Sequence, residues 1–280
     1  MSAGKTSGPA AWTINDIRSR IGISTLCYPP EVRFGSREIA AFAAAGIRNV
    51  EICGFWPRRH FDYYDRAQLA EIKSACRNEG VCIVAIHGPN VPYSSEYPQV
   101  RRGAVHEAIA AAKVGEELGA TIFIGHFDPT PLGEQSAREM LTALHDSPIK
   151  LTIENGDDLR DFAAFVDKVG SDRFGMVVDI GHARDADTVN PFLKKERARA
   201  TMSVCGRRLY HLHLHDVREN SDHWSPFDGD IQWGEIFSAF RDLGYPGWLM
   251  FESASFHGPT DDIIRKVAAF PEAFIERYGR

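Results

Sequence analysis

The sequence predicts a single α/β domain, a closed (β/α)8 barrel, and three observations carry that prediction. Short apolar runs of strand length recur along the chain, the segments between them follow a helical period, and no linker or shift of composition divides the 280 residues. Alternating strand and helix patterns imply a parallel sheet with helices packed outside it. Eight such units closing into a barrel take about 250 residues.

Taken in order, residues 1–16, opening MSAGKTSGPAAW, are small and polar and are expected as a flexible leader, with the barrel over residues 17–280. The eight strand-like runs are IGISTL, NVEIC, VCIVAIH, TIFIGH, KLTIEN, GMVVDIGH, LYHLHLHD and WLMFES. Between them lie segments of helical period, among them SREIAAFAAAG, RAQLAEIKSACRNEG, VRRGAVHEAIAAAKVGEELG and DLRDFAAFVDKVG. Each of these four ends on glycine, the residue best suited to a left-handed helix cap. Strand starts lie roughly 25–40 residues apart, as repeated βα units require. A doubly wound open sheet is the structural alternative. It is disfavoured because no GxGxxG or Walker loop follows a strand.

Composition narrows the function. Hydrophobic residues make up 44% and charged residues 25%, an ordinary soluble balance with enough apolar content for a sizeable core. A formal charge of −6 and a pI near 6.0 leave no basic footprint for nucleic acid. No stretch approaches the ~18–20 apolar residues of a membrane span, and the N-terminus carries no apolar signal core. The five cysteines are odd in number and lack CxxC spacing. They are expected as free thiols in a reducing cytoplasm rather than as disulfides or a thiolate zinc site.

Strand parity points to a site. Successive side chains on a strand face opposite sides, and in a barrel one side is the lumen. The run RLYHLHLHDV therefore turns His211, His213 and His215 inward and Tyr210, Leu212 and Leu214 outward. The same parity turns Glu154, Asp179 and Glu252 inward at the ends of the fifth, sixth and eighth runs. His87 and His126 end the third and fourth runs on the inner face, and Glu51 shares a face with Asn49 and Cys53. Catalytic residues of such barrels sit at these strand ends. Three converging carboxylates are expected to repel one another and raise their pKa values, and no lysine or arginine holds a matching inward position. A divalent cation is the simplest compensation. Three carboxylates and one imidazole from the seventh run suit Mn²⁺, Mg²⁺ or Co²⁺, with Zn²⁺ and Fe²⁺ as further options.

With these residues in hand the sequence resembles the xylose-isomerase-like TIM barrel superfamily of sugar phosphate isomerases and epimerases. The likeness runs through GISTL, AGIRNVEI, IHGP, ENGDD, VVDIGHA, HLHLHD and FES. Its most specific pieces are Asp179 with His182 in DxxH and the alternating histidines and aspartate of HLHLHD ending the seventh run. The resemblance implies one metal held by Glu154, Asp179, His213 and Glu252, and it selects His213 rather than His215. It further implies proton transfer by Glu154 and Glu252, one removing a proton from carbon and the other returning it, through a metal-stabilised enediolate. The expected substrate is a small sugar, sugar phosphate or cyclitol. An inosose-type dehydratase differs only in sending the second proton to a leaving hydroxyl.

The superfamily also contains apurinic-site endonucleases that use three zinc ions. His87, His126 and His182 match their additional ligands. After the seventh run, however, that pattern wants an Asp, one residue and a His, and here Ser221 precedes His223 at that spacing, with Asp222 adjacent. That departure and the acidic balance favour the isomerase or epimerase. His87, His126, His182 and His223 are then expected to bind substrate, with Arg218 just past the seventh strand and Trp56 from GFWPRRHFDYYD. Phe55 is expected beside Trp56 as an apolar wall, Arg58 toward a phosphate and Arg59 in solvent; Phe127 and Trp224 are expected to line the pocket. His60 and His257 are expected as solvated loop residues, His106 and His145 as surface or interface groups, and His211 as a deep residue satisfied locally. A non-catalytic sugar-binding barrel is disfavoured because all four metal positions are retained. The expected partner is a small-molecule substrate, with a homo-oligomer compatible, and with neither nucleic acid nor membrane.

Overall fold

The computed structural model describes residues 11–54 and 60–279. An eight-stranded sheet of β1 (Ile21–Ser24), β2 (Asn49–Cys53), β3 (Cys82–His87), β4 (Ile122–Gly125), β5 (Lys150–Glu154), β6 (Phe174–Asp179), β7 (Leu209–His213) and β10 (Leu249–Phe251) follows the order β10-β1-β2-β3-β4-β5-β6-β7, and neighbouring strands in it run parallel. The barrel closes between its first and last members. The Leu214 N–H donates to the Met250 carbonyl (2.8 Å) and the Glu252 N–H to the Leu214 carbonyl (2.9 Å).

Helices α2 (Ser36–Ala44), α3 (Arg66–Glu79), α4 (Pro98–Leu118), α5 (Pro131–Ala143), α6 (Leu159–Val169), α7 (Lys195–Ser203) and α8 (Trp233–Leu243) connect consecutive barrel strands. Local chemistry sets their ends. Asp65 accepts the N–H groups of Ala67 and Gln68 at the start of α3, and Asp158 caps α6. Both helices stop on a left-handed glycine, Gly80 at φ 65° and Gly170 at φ 61°. Along α6, Leu159, Phe162, Ala163, Phe165, Val166 and Val169 are buried, a helical stripe that fixes which side meets the sheet. Helix α1 (Ile14–Arg20) starts at Thr13, whose hydroxyl accepts the Asp16 N–H, and the Trp12 indole donates to the Phe237 carbonyl (2.8 Å). This helix straddles the boundary expected between leader and barrel; leader residues 1–10 lie outside the described residues. Helices α9 (Thr260–Ala268) and α10 (Phe270–Tyr278) finish the chain. Among the described residues no helix is long and apolar enough to cross a membrane.

The core has two parts. The larger lies between sheet and helices and contains Leu151, Ile153, Val178, Leu212, Leu214 and Phe251. The smaller, Val84, Ala85, Ile122, Ile124, Val177 and Met250, takes the inward-facing apolar positions. Above that floor the inward positions become polar. Tyr210 departs from its expected outward place. The β6–β7 register skips it, pairing Met176 with Leu209 and Val177 with His211, and its ring packs on the smaller cluster. Gly175 makes this possible, because a Cβ there would lie 2.4 Å from the Tyr210 ring. One element is absent from the strand-helix reading. After β7 the chain forms an antiparallel hairpin of β8 (Asp216–Arg218) and β9 (Ser221–Trp224) over the C-terminal end of the barrel.

Candidate active site

Strand ends deliver the site. Glu154, Asp179 and His213 are the last residues of β5, β6 and β7, and Glu252 follows β10 directly. All four are buried. His213 Nδ1 is their meeting point: Glu252 Oε2 lies 3.1 Å from it, Glu154 Oε1 3.2 Å and Asp179 Oδ2 3.9 Å.

Asp179 is held from one side only. Its Oδ1 accepts the N–H groups of Gly181 (2.7 Å) and His182 (2.9 Å) and the Nε2–H of His215 (2.9 Å). Its Oδ2 accepts no hydrogen bond among the described residues. Asn155 fixes the strand end by accepting the Asp179 N–H (2.8 Å) and donating to its carbonyl (3.1 Å). Gly181 lets the His215 ring approach, since a Cβ there would sit 2.0 Å from His215 Cε1.

Histidines surround the carboxylates. His87 Nε2 and His126 Nε2 lie 3.2 and 3.5 Å from Glu154 Oε2. On the other flank His182 Nδ1 lies 3.4 Å from Glu154 Oε1 and 3.5 Å from Asp179 Oδ2, while its Nε2 lies 3.6 Å from Asp222 Oδ2. The His223 N–H donates to His215 Nδ1 (2.8 Å), and His223 Nδ1 donates to the Glu252 carbonyl (2.8 Å). Beneath, Glu51 Oε2 accepts from His211 Nε2 (2.9 Å) and His213 Nε2 (3.2 Å).

These imidazoles reverse one expectation. Burial alone raises the carboxylate pKa values, but His213 and His126 outweigh it at Glu154, and His215 and His182 outweigh it at Asp179, so both are held below the ordinary range. Mutual repulsion does not raise them, because the compensation missing from lysine and arginine comes from histidine. Burial disfavours a charged His182, but Asp179 and Glu154 overcome it and push that pKa up to about 10. For His126 and His223 burial prevails and lowers the value.

The residues fit a divalent cation. Donors bound about 2.1 Å from one ion lie roughly 3.0–3.4 Å apart in octahedral or tetrahedral arrangements, and the contacts of His213 Nδ1 with Glu252 and Glu154, 3.1 and 3.2 Å, fall in that band. Asp179 Oδ2, 3.9 Å from His213 Nδ1, lies outside that band and is a further buried acceptor with no partner among the described residues. Other ligand atoms converge nearby in the sets His87–His126–Glu154, Asp179–His215–His223 and His182–Asp222–His223.

Several expected positions need correction. Phe127 does not line the pocket; it is buried in the outer core against Tyr93 and Phe174. His60 is buried, its Nε2 2.8 Å from the Pro29 carbonyl, and His257 is tied to the Asp222 carbonyl (2.7 Å), so neither is a solvated loop residue. Among the described residues His211 has a partner on Nε2 alone, and its Nδ1 has none. Arg218 is exposed on the hairpin, its guanidinium 5.5 Å from the Trp224 ring centre, and Trp224 stacks on His257. His106 and His145 are exposed, as expected. Trp56, with Phe55, Arg58 and Arg59, lies outside the described residues.

Sequence reasoning missed Asp222, which reaches His182 despite its spacing. His223 adopts φ 58°, and this left-handed step breaks the strand alternation that would send neighbours to opposite sides. Sequence reasoning placed Asp216 within HLHLHD but gave it no role; in the fold Asp216 gathers the segment after the hairpin. Asp216 Oδ1 accepts the N–H groups of Val217 (2.9 Å) and Ile231 (3.0 Å), and Oδ2 those of Phe227 (2.9 Å) and the Trp233 indole (3.0 Å).

Similar architectures are found among solved structures. D-allulose 3-epimerase from Methylomonas sp. matches with a TM-score of 0.71 at 16% identity, covering 97% of this chain and 100% of that one. An L-ribulose 3-epimerase matches with a TM-score of 0.74 at 17% identity, over 93% and 96%. A 3-keto-D-glucoside 4-epimerase from E. coli matches with a TM-score of 0.71 at 14% identity, over 91% and 99%. No curated protein sequence matches the chain. Residues 39–273 match one family along their length, and the chain belongs to the xylose isomerase-like TIM barrels.

Proposed function

We propose that the protein is a divalent-metal-dependent sugar isomerase or epimerase that moves a proton at a carbon beside a carbonyl. The observation that carries this reading is the convergence of Glu154, Glu252 and Asp179 on His213 Nδ1. Glu154, Asp179, His213 and Glu252 would hold the metal. Such an ion acts as a Lewis acid on neighbouring carbonyl and hydroxyl oxygens and eases loss of the adjacent carbon proton. Glu154 and Glu252 come from β5 and from the end of β10, and they serve as the two proton carriers. One takes the proton and the other returns it, a contribution of about 10²–10⁴-fold. His87 and His126 border Glu154 on one side. His182 and His223 border the pair on the other, and His223, whose Nδ1–H goes to the Glu252 carbonyl, offers Nε2 as an acceptor to a sugar hydroxyl. Three similar structures carry sugar-epimerase names, which supports the substrate class.

The test is exchange of substrate C–H into deuterated solvent across a panel of ketoses and inositol ketones, with Mn²⁺, Mg²⁺, Co²⁺ or Zn²⁺ supplied. Wild-type exchange that is lost in Glu252→Gln is expected. Turnover that survives in metal-depleted protein would refute the mechanism.

One observation favours a second reading, an apurinic-site endonuclease-like phosphodiesterase. The flanking sets His87–His126–Glu154 and His182–Asp222–His223 could hold further cations. Metal analysis separates the two: about one ion per chain supports the isomerase, while about three zinc ions and cleavage of abasic DNA support the hydrolase.

A further inference from the structure

We propose that Glu51 is a positioning residue for His213, taking the Nε2–H of that ring so that Nδ1 keeps its lone pair for the cation among Glu154, Asp179 and Glu252. This inference rests on the metal reading above.

Glu51 stands apart from the four ligand candidates, on β2, and reaches His213 across the barrel interior. It is fully buried, beneath the cluster rather than at its rim. Its Oε2 faces two ring nitrogens, His211 Nε2 at 2.9 Å and His213 Nε2 at 3.2 Å. A carboxylate offers no proton, so both nitrogens carry the hydrogen. His211 is then a neutral ring with its lone pair on Nδ1, a buried acceptor that has no partner among the described residues. Glu154 and Glu252 make the same demand of His213 Nδ1; a cation there takes the place of that proton, and Glu51 keeps the ring's other N–H on Nε2. The remaining lone pair is on Nδ1, the atom 3.1 and 3.2 Å from Glu252 and Glu154.

Stability does not account for Glu51. Its Oε1 is buried and accepts no hydrogen bond among the described residues, a condition that costs about 1–3 kcal/mol. An apolar side chain on the barrel floor would avoid that cost. A carboxylate behind a ligating imidazole instead orients the ring and raises its basicity, and losing such a partner weakens metal affinity about 10–100-fold.

The experiment titrates Co²⁺, without substrate, into metal-free wild type, Glu51→Gln and Glu51→Asp, reading affinity by calorimetry and the ligand field by visible absorption. Glutamine can turn its amide N–H toward His213 Nε2 and allow the other tautomer. The expected result is one Co²⁺ per wild-type chain, binding weakened about 10–100-fold in Glu51→Gln, and partial recovery in Glu51→Asp. Wild type that binds Co²⁺ with a Glu51→Gln affinity within twofold overturns this inference and leaves the metal reading standing. Wild type that takes up no Co²⁺ overturns the metal reading and the inference with it. A further readout needs no variant: ¹H–¹⁵N spectra of Zn²⁺-loaded wild type should show His213 with a protonated Nε2 and a ligated Nδ1. The opposite pattern overturns the inference even if neither variant folds.

Discussion

Asp216→Ala should be among the more damaging substitutions outside the ligand set, and its size follows from the hydrogen bonds it removes. The buried carboxylate accepts three backbone N–H groups and one indole N–H. Each donor stranded without an acceptor costs about 1–3 kcal/mol. Water entering the space left by the carboxylate will satisfy part of that need, so about 3–5 kcal/mol is expected rather than the full sum. An unfolding entropy of about 2.1 cal/mol/K per residue gives about 0.6 kcal/mol/K for the 280 residues. The melting temperature should therefore fall by about 5–8 °C. Asp216→Asn keeps one acceptor oxygen but turns an amide toward two of the donors, and about 2–3 kcal/mol is expected. Both variants should be melted, and unfolded in urea, in a chelating buffer so that metal binding does not contribute. Losses below 1 kcal/mol in both would show that Asp216 is not the clamp joining the hairpin to Phe227, Ile231 and Trp233.

Gly181→Ala puts a methyl group against His215 and must dislodge the ring that donates to Asp179. A stability loss of about 1–3 kcal/mol with weaker metal binding is expected, and unchanged values for both would refute the packing argument. Metal loading should raise the melting temperature: at a thousandfold excess over Kd the stabilisation is about 4 kcal/mol, or about 7 °C. No shift with millimolar Mn²⁺, Co²⁺, Mg²⁺ or Zn²⁺ would count against the metal reading. Thiol titration at pH 8 should modify Cys82 first, because it is exposed. Burial pushes the Cys76 thiol up to about 11, leaving about one thiolate in a thousand, and Cys27, Cys53 and Cys205 are buried. Two or more equally fast thiols would contradict that order.

Period-two alternation made the barrel and its central residues legible in the sequence. Once KLTIE, FGMVVD, LYHLH and LMF are strands, Glu154, Asp179, His213 and Glu252 share one parity, and the structure brings them to one point. What escaped is whatever breaks that period. A skipped residue in the β6–β7 register turns Tyr210 inward, and a left-handed His223 carries Asp222 to His182. Phe127 follows the end of β4, where alternation no longer governs direction, and it turns into the aromatic core. Glu51 had the correct parity but no visible purpose. Its meaning depends on His211 and His213, 160 and 162 residues away. Parity assigns a face; only the closed barrel assigns a neighbour across it.

The absence of lysine and arginine from the inward strand ends also changes meaning once the histidines are in place. A guanidinium stays charged at any pH a protein survives, so an arginine among these carboxylates would remain a permanent counter-ion. An imidazole can be a charged partner, a neutral hydrogen-bond donor or a neutral ligand. His87, His126, His182, His213, His215 and His223 therefore compensate the carboxylates in a way a bound cation can replace. A barrel mouth built only for stability would gain nothing from that exchangeability, and would leave buried acceptors such as Asp179 Oδ2 paired rather than open. The isomerase and hydrolase readings draw on the same ring of histidines and differ in how many of them a cation recruits. Counting bound metal thus bears on the chemistry more directly than fold resemblance, which the two activities share.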